Sequence, residues 1–155
     1  MATRLTTRSC SGRVILLNGV PVEWAAKKQM ETADSPAVAE IYAMSTAVKA
    51  GNLYRWKCRD MGMVIQGPQR TVVHVDNKQC LVFAKGTCVH SKTGGVIDKK
   101  TAWVEELRDR GKVEIKWVRT QLNIADMFTK CLDGTKFAGR LKNIQTDVFN
   151  NDTRV

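Results

Sequence analysis

Two apolar runs, "RVILL" and "VPVEWAA", flank the pair Asn18-Gly19. That pair is favoured in two-residue type I′ turns, where both central residues take positive φ. The stretch predicts an antiparallel hairpin with strands at about 13–18 and 21–27. Pro21 opens the second strand, where a missing N–H is tolerated. An isolated hairpin is marginal in water, so the rest of the chain must cover it. The sequence has the means: 155 residues, 43% of them hydrophobic, with three prolines, describe one folded domain and not a disordered chain. Residues 1–12 read as a basic arm, 13–145 as the domain and 146–155 as a flexible tail.

After the hairpin, Ser35 and Pro36 suit the N-cap and first position of a helix over about 36–59, with Gly62 as its stop. Ala37, Ile41, Met44 and Val48 mark its apolar stripe. Glu40, Ala47 and Gly51 lie beside that stripe, and the small residues predict close approach to a sheet, with Glu40 on a buried face. "GPQR" is a turn before a strand at 71–76. A short helix through "KQCLVFAKG" is closed by Gly86, and a second helix is capped by Asp98 and stopped by Gly111. In "GKVEIKWVR", Val113, Ile115 and Trp117 alternate onto one face of a strand. Asn123 caps a helix in "NIADMFTKCL", and "TKFAGRLKNIQ" forms the last one. A hairpin followed by alternating helices and strands implies an α/β (α+β) fold, a mixed sheet with helices packed on it.

Three acids occupy positions where a purely structural role is strained. Glu40 is on the inner side of a helix, Asp76 ends a core strand, and Asp126 lies one turn into a helix that follows another strand end. Sites in sheets with helices form outside the carboxyl ends of strands. Carboxylates without histidine suit a hard cation, Mg²⁺ above all, and two such ions can activate a water for phosphodiester hydrolysis. Each acid also has a plain alternative. Asp126 at N3 would favour a helix start, Asp76 could cap the next helix, and Glu40 could pair with Lys27 or Lys28.

Other groups point away from other chemistries. The two histidines, His74 and His90, do not make a His-based metal site. The five cysteines include no CxxC pair and their number is odd, which argues against a disulfide framework and fits a reducing, intracellular compartment. "SKTGG" lacks the strand–loop–helix order of a phosphate-binding loop. Trp24, Trp56, Trp103 and Trp117 fall at apolar positions and read as core. No apolar run approaches a transmembrane length. A net charge of +10 favours polyanionic partners, nucleic acid first.

"LLNGVPVEWAAKKQ", "SPAVAEIYAMSTAVKA", "HVDNKQCLVFAK", "VHSK…VID", "WVEELRDRGKVEIKWVRT" and "IADMFTKCL" occur in this order. Together, from about Ser9 to Leu141, they resemble the ribonuclease H domain at the end of a copia-type retrotransposon Pol polyprotein. The resemblance implies a ribonuclease H-like fold that cleaves the RNA strand of RNA–DNA hybrids with two Mg²⁺ ions. By position it assigns Glu40, Asp76 and Asp126 as catalytic metal ligands. Asn77, Lys92 and Lys130, within the same blocks, are the expected nucleic-acid contacts. The implied partners are an RNA–DNA hybrid and the upstream reverse transcriptase part of Pol, in a cytoplasmic particle or the nucleus.

The sequence departs from the family's pattern. The family fold begins with a central strand carrying another metal-binding aspartate, and no acid precedes Glu23 here. Asp34, more than a turn from Glu40, is not expected to replace it. Ile41 stands where the family has tyrosine, "TGGVID" lacks a second histidine, and Cys131 replaces a proline. The expectation is a sheet incomplete at its first, central strand and weak or absent catalysis by this chain alone. The alternatives are a non-catalytic nucleic-acid-binding remnant, or an interaction protein that pairs through an exposed sheet edge.

Overall fold

The structure, a computed structural model, describes residues 9–29, 36–84, 96–129 and 132–145. Asn18 and Gly19 take φ of 50° and 81°, the paired positive values of a type I′ turn. They join β1 (Cys10–Leu17) to β2 (Val20–Lys28). The ladder starts at Cys10↔Lys28, so it reaches three residues into the stretch expected to be an arm. Ile15 pairs with Glu23 but Leu16 pairs with Pro21, which leaves a bulge at Val22 and puts the proline beside it.

Helix α1 (Pro36–Asp60) ends as its sequence predicts. Gly62 adopts φ of 67°, its N–H donates to Arg59 O at 3.0 Å, and the Met63 N–H donates to Cys58 O at 2.8 Å. The proposed cap Ser35 lies outside the described residues, as do Gly86, His90, Lys92, Lys130 and Cys131. Strand β3 (Thr71–Val75) pairs in parallel with β4 (Val113–Trp117), from Thr71↔Val113 to Val75↔Trp117. A parallel pair needs a crossover, here carrying α2 (Lys78–Ala84) and α3 (Val96–Asp109). Helix α3 starts two residues ahead of Asp98, so Asp98 sits within its first turn and is not the cap. Gly111, with φ of 65°, closes it as expected, its N–H donating to Arg108 O at 2.8 Å.

Beyond β4, the helix expected from Asn123 is a single short 3-10 element, Ile124–Phe128, preceded by another at Thr120–Leu122. Helix α4 (Gly134–Gln145) follows. Its cap is Asp133, whose Oδ1 accepts from the Lys136 N–H at 2.8 Å; that N–H holds the carboxyl below its usual range.

The architecture is mixed α/β, with one core. Val38, Ile41, Met44 and Val48 of α1 meet Val73 and Val75 of β3, Cys80 and Ala84 of α2, Val104 of α3 and Val113 of β4. Among the described residues the strands form two separate two-stranded sheets, β1-β2 and β3-β4. Helix α1 touches both. The tryptophan expectation fails for three of the four. Trp24, Trp56 and Trp117 are 62%, 53% and 42% exposed, because each lies on an element's outer face, and only Trp103 packs against the core.

Candidate acidic site

The strand carrying Asp76 is placed by a close approach. A Cβ on Gly51 would lie 2.5 Å from Thr71 Cγ2, so α1 closely approaches the start of β3 at a point where a larger residue would force the threonine side chain to shift. Arg55, one turn further on, donates to Pro68 O at 3.1 Å and to Arg70 O at 2.7 Å, which ties the entry of β3 to the same part of the helix. From there β3 runs back along α1. The five residue steps from Thr71 to Asp76 cover about 16 Å of strand. The eleven steps from Gly51 back to Glu40 also cover about 16 Å of helix. The two acids, 36 positions apart in sequence, therefore arrive at the same end of the helix–strand pair.

Cys80 registers the arrival. Its thiol is pushed up to about 12, first by burial, then by the Glu40 carboxylate and then by that of Asp76. Cys80 is 1% exposed and lies on α2. Asp76 is half-buried just beyond the last residue of β3. It is not the helix cap: Asn77 Oδ1 accepts from the Gln79 N–H at 2.9 Å and Asn77 O from the Cys80 N–H at 3.1 Å. Asn77 takes the capping role, and the Asp76 carboxylate is left for something else. The Asp76 carbonyl accepts from Trp117 Nε1 at 3.1 Å, and Lys78 lies 5.3 Å over that indole ring.

Glu40 itself is exposed, against the expectation of a buried face. The stripe α1 buries passes through Val38, Ile41, Ser45 and Val48, and Glu40 sits roughly a quarter turn to one side of it. Ala47 and Gly51 share that side. The small residues do mark a close approach to β3, but nothing among the described elements lies over Glu40 enough to bury it.

Asp126 behaves differently. It is 6% exposed in the 3-10 element, whose start Asn123 caps by accepting from the Ala125 N–H at 3.1 Å. Its Oδ2 accepts from Arg140 Nη2 at 3.3 Å, both side chains being about nine-tenths buried. The 3-10 element packs on β1 so tightly that a Cβ on Gly12 would stand 2.7 Å from Ala125 O and 2.6 Å from Thr129 Cγ2. Asp126 thus has a buried guanidinium beside it, which a sequence reading does not find, since Arg140 lies 14 residues away with no intervening pattern.

Asp126 is ion-paired with Arg140, and among the described residues no group of three or more His, Cys, Asp or Glu side chains is disposed to hold a metal ion. Among the described residues no helix is long and apolar enough to cross a membrane.

Comparison with known proteins gives a similarity over most of the chain. Over 130 residues, 84% of the chain, the sequence is 27% identical to the Retrovirus-related Pol polyprotein from transposon TNT 1-94 of Nicotiana tabacum, of which it spans 10%. This supports a retrotransposon Pol origin. No family model and no solved structure matches the chain.

Proposed function

We propose that the chain is a ribonuclease H-like domain of a retrotransposon Pol polyprotein, which binds RNA–DNA hybrids but by itself cleaves them weakly or not at all. The observation that supports this most is that the Glu40 and Asp76 carboxylates both act on the buried Cys80 thiol, Asp76 standing at the carboxyl end of β3. These are two of the three acids the resemblance assigns to Mg²⁺. In the same reading Asp126 is the third, but here its charge is neutralised by Arg140. Two carboxylates hold Mg²⁺ poorly without further ligands. The Asn77 carboxamide caps α2, and in this reading its remaining N–H groups, with Lys92 and Lys130, serve the nucleic acid.

The test incubates the chain with an RNA–DNA hybrid in Mg²⁺ and measures both cleavage and salt-dependent binding. Binding that weakens steeply with salt, with cleavage near background, is expected. Fast Mg²⁺-dependent cleavage that disappears in Asp76→Asn would show a complete site and refute the impairment. Absence of hybrid binding at low salt would remove the nucleic-acid reading altogether.

One observation favours a second reading. β1 and β3 each pair with a single neighbour among the described strands, so each has an edge available for a further strand. An interaction role, with another chain adding a strand there, predicts a stable oligomer or complex and no affinity for hybrid.

A further inference from the structure

Helix α4 reaches into the molecule with one side chain. Of residues 134–142, every one but Arg140 is exposed. Phe137 and Leu141, one turn apart, are 44% and 41% exposed, so apolar burial does little to hold the helix down. Its start is made locally. Asp133 Oδ1 accepts from the Lys136 N–H at 2.8 Å, and the Asp133 carboxylate pairs with Lys136 Nζ at 3.0 Å. The first turn is thus capped whether or not the helix is docked.

The docked side chain is poorly compensated. Arg140 Nη2 donates to Asp126 Oδ2 at 3.3 Å, the two side chains being 11% and 8% exposed. Charge-assisted bonds of this kind are ordinarily about 2.7–2.9 Å long. Arg140 Nε is buried and has no hydrogen-bond partner among the described residues. A buried ion pair offsets the loss of water only with close geometry and with its remaining N–H groups satisfied. This pair is long and leaves one such group unsatisfied, so its hold on the helix is weak.

We infer that α4 is an autoinhibitory strap: Arg140 withholds the Asp126 carboxylate from the acidic site, and lifting of the helix returns it. A guanidinium and a divalent cation carry like charges, so they exclude each other from one buried carboxylate oxygen. Docking of α4 and cation binding at Asp126 are then coupled, and each weakens the other by the same factor. The contact itself is read from the geometry. That it inhibits rests on the reading of Asp126 as the third acid of the proposed function, and not on hybrid binding.

The experiment measures Mn²⁺ affinity by electron paramagnetic resonance, with no nucleic acid present. It compares the unaltered chain with Arg140→Gln, Arg140→Lys and Arg140→Gln/Asp126→Asn. Hydrogen exchange of amides 138–145 reports the docking of α4, and circular dichroism checks folding. Arg140→Gln should bind Mn²⁺ about fivefold or more tighter than the unaltered chain, and its α4 amides should exchange faster. Arg140→Lys should stay close to the unaltered chain, and the added Asp126→Asn should abolish the gain. Unchanged Mn²⁺ affinity in a folded Arg140→Gln, or a gain that survives Asp126→Asn, would overturn the strap. If Arg140→Gln does not fold, the unaltered chain carries the test. Added Mn²⁺ should speed exchange of its α4 amides, and no acceleration at any Mn²⁺ concentration would overturn the strap as well. A gain that requires Asp126 but is indifferent to Asp76→Asn in the Arg140→Gln background would keep the contact and refute the shared acidic site, so the two readings fail separately.

Discussion

The half of the molecule built on β3 and β4 and the half built on the hairpin solve the same problem with different means. The parallel pair is enclosed by α1, α2 and α3, and its inward residues Thr71, Val73, Val75 and Val113 are all buried. The hairpin is held mainly by its own ladder, by α1 and by the 3-10 element across Gly12. Its outer face leaves Val20 and Trp24 61% and 62% exposed. Parallel strands cannot form without a crossover and are stabilised by what covers them, whereas a hairpin closes locally. Glu40 and Asp76 belong to the first half. Asp126 belongs to the segment that leaves it to lie on the second.

The largest contrast should appear in core truncations. Ile41→Ala, at a residue 1% exposed, is expected to cost about 2–5 kcal/mol, and Trp24→Ala no more than about 0.5 kcal/mol, read from urea midpoints. Comparable losses would mean that the hairpin's outer face is covered and that the contrast is false. At the junction of the halves, Arg140→Leu leaves the Asp126 carboxylate short of its guanidinium and should cost about 1–3 kcal/mol. Adding Asp126→Asn should return a good part of that loss; a strictly additive double variant would show that the pair is not coupled.

Smaller effects probe the two glycine contacts. Gly12→Ala would press against a backbone carbonyl, Ala125 O, and should cost about 1–3 kcal/mol. Gly51→Ala meets a side-chain methyl instead, so Thr71→Ser should relieve it, and a failed rescue would shift the α1–β3 contact elsewhere. A further effect is confined to alkaline pH. The Cys80 thiol titrates near 12 in the folded chain and near its ordinary 9.0 when unfolded. The folded state then holds more protons between those values, so stability is intact below about pH 9 and falls as pH rises toward 12. Cys80→Ala should flatten that part of the pH–stability curve, and an unchanged slope would place its origin in other groups.

The local chemistry of the chain was legible residue by residue. Asn18-Gly19 requires positive φ, so the turn could be read before any partner strand was known. Gly62 and Gly111 marked helix ends for the same reason, and Gly51 announced a close approach. The misreadings came where a residue's neighbours arrive from far along the chain. Glu40 was assigned to a buried face because it borders an apolar stripe, yet burial depends on what lies over it. The exposed tryptophans were misjudged because hydrophobicity says a side chain prefers cover and not that cover is supplied. Asp76 was read as a possible cap of α2, and hydrogen-bond geometry gives that role to Asn77.

What the sequence by itself determined is the set of elements, their order, the turn that closes the hairpin and the three acids to watch. Tertiary structure alone decided how those acids are distributed. Glu40 and Asp76 come to the same end of α1 and β3 because helix and strand cover about the same distance from one glycine contact, a coincidence of lengths invisible to local pattern. Asp126 is drawn to Arg140 because a buried carboxylate needs a countercharge and α4 supplies one. Sequence names the charged groups, but pairing is set by distance in space.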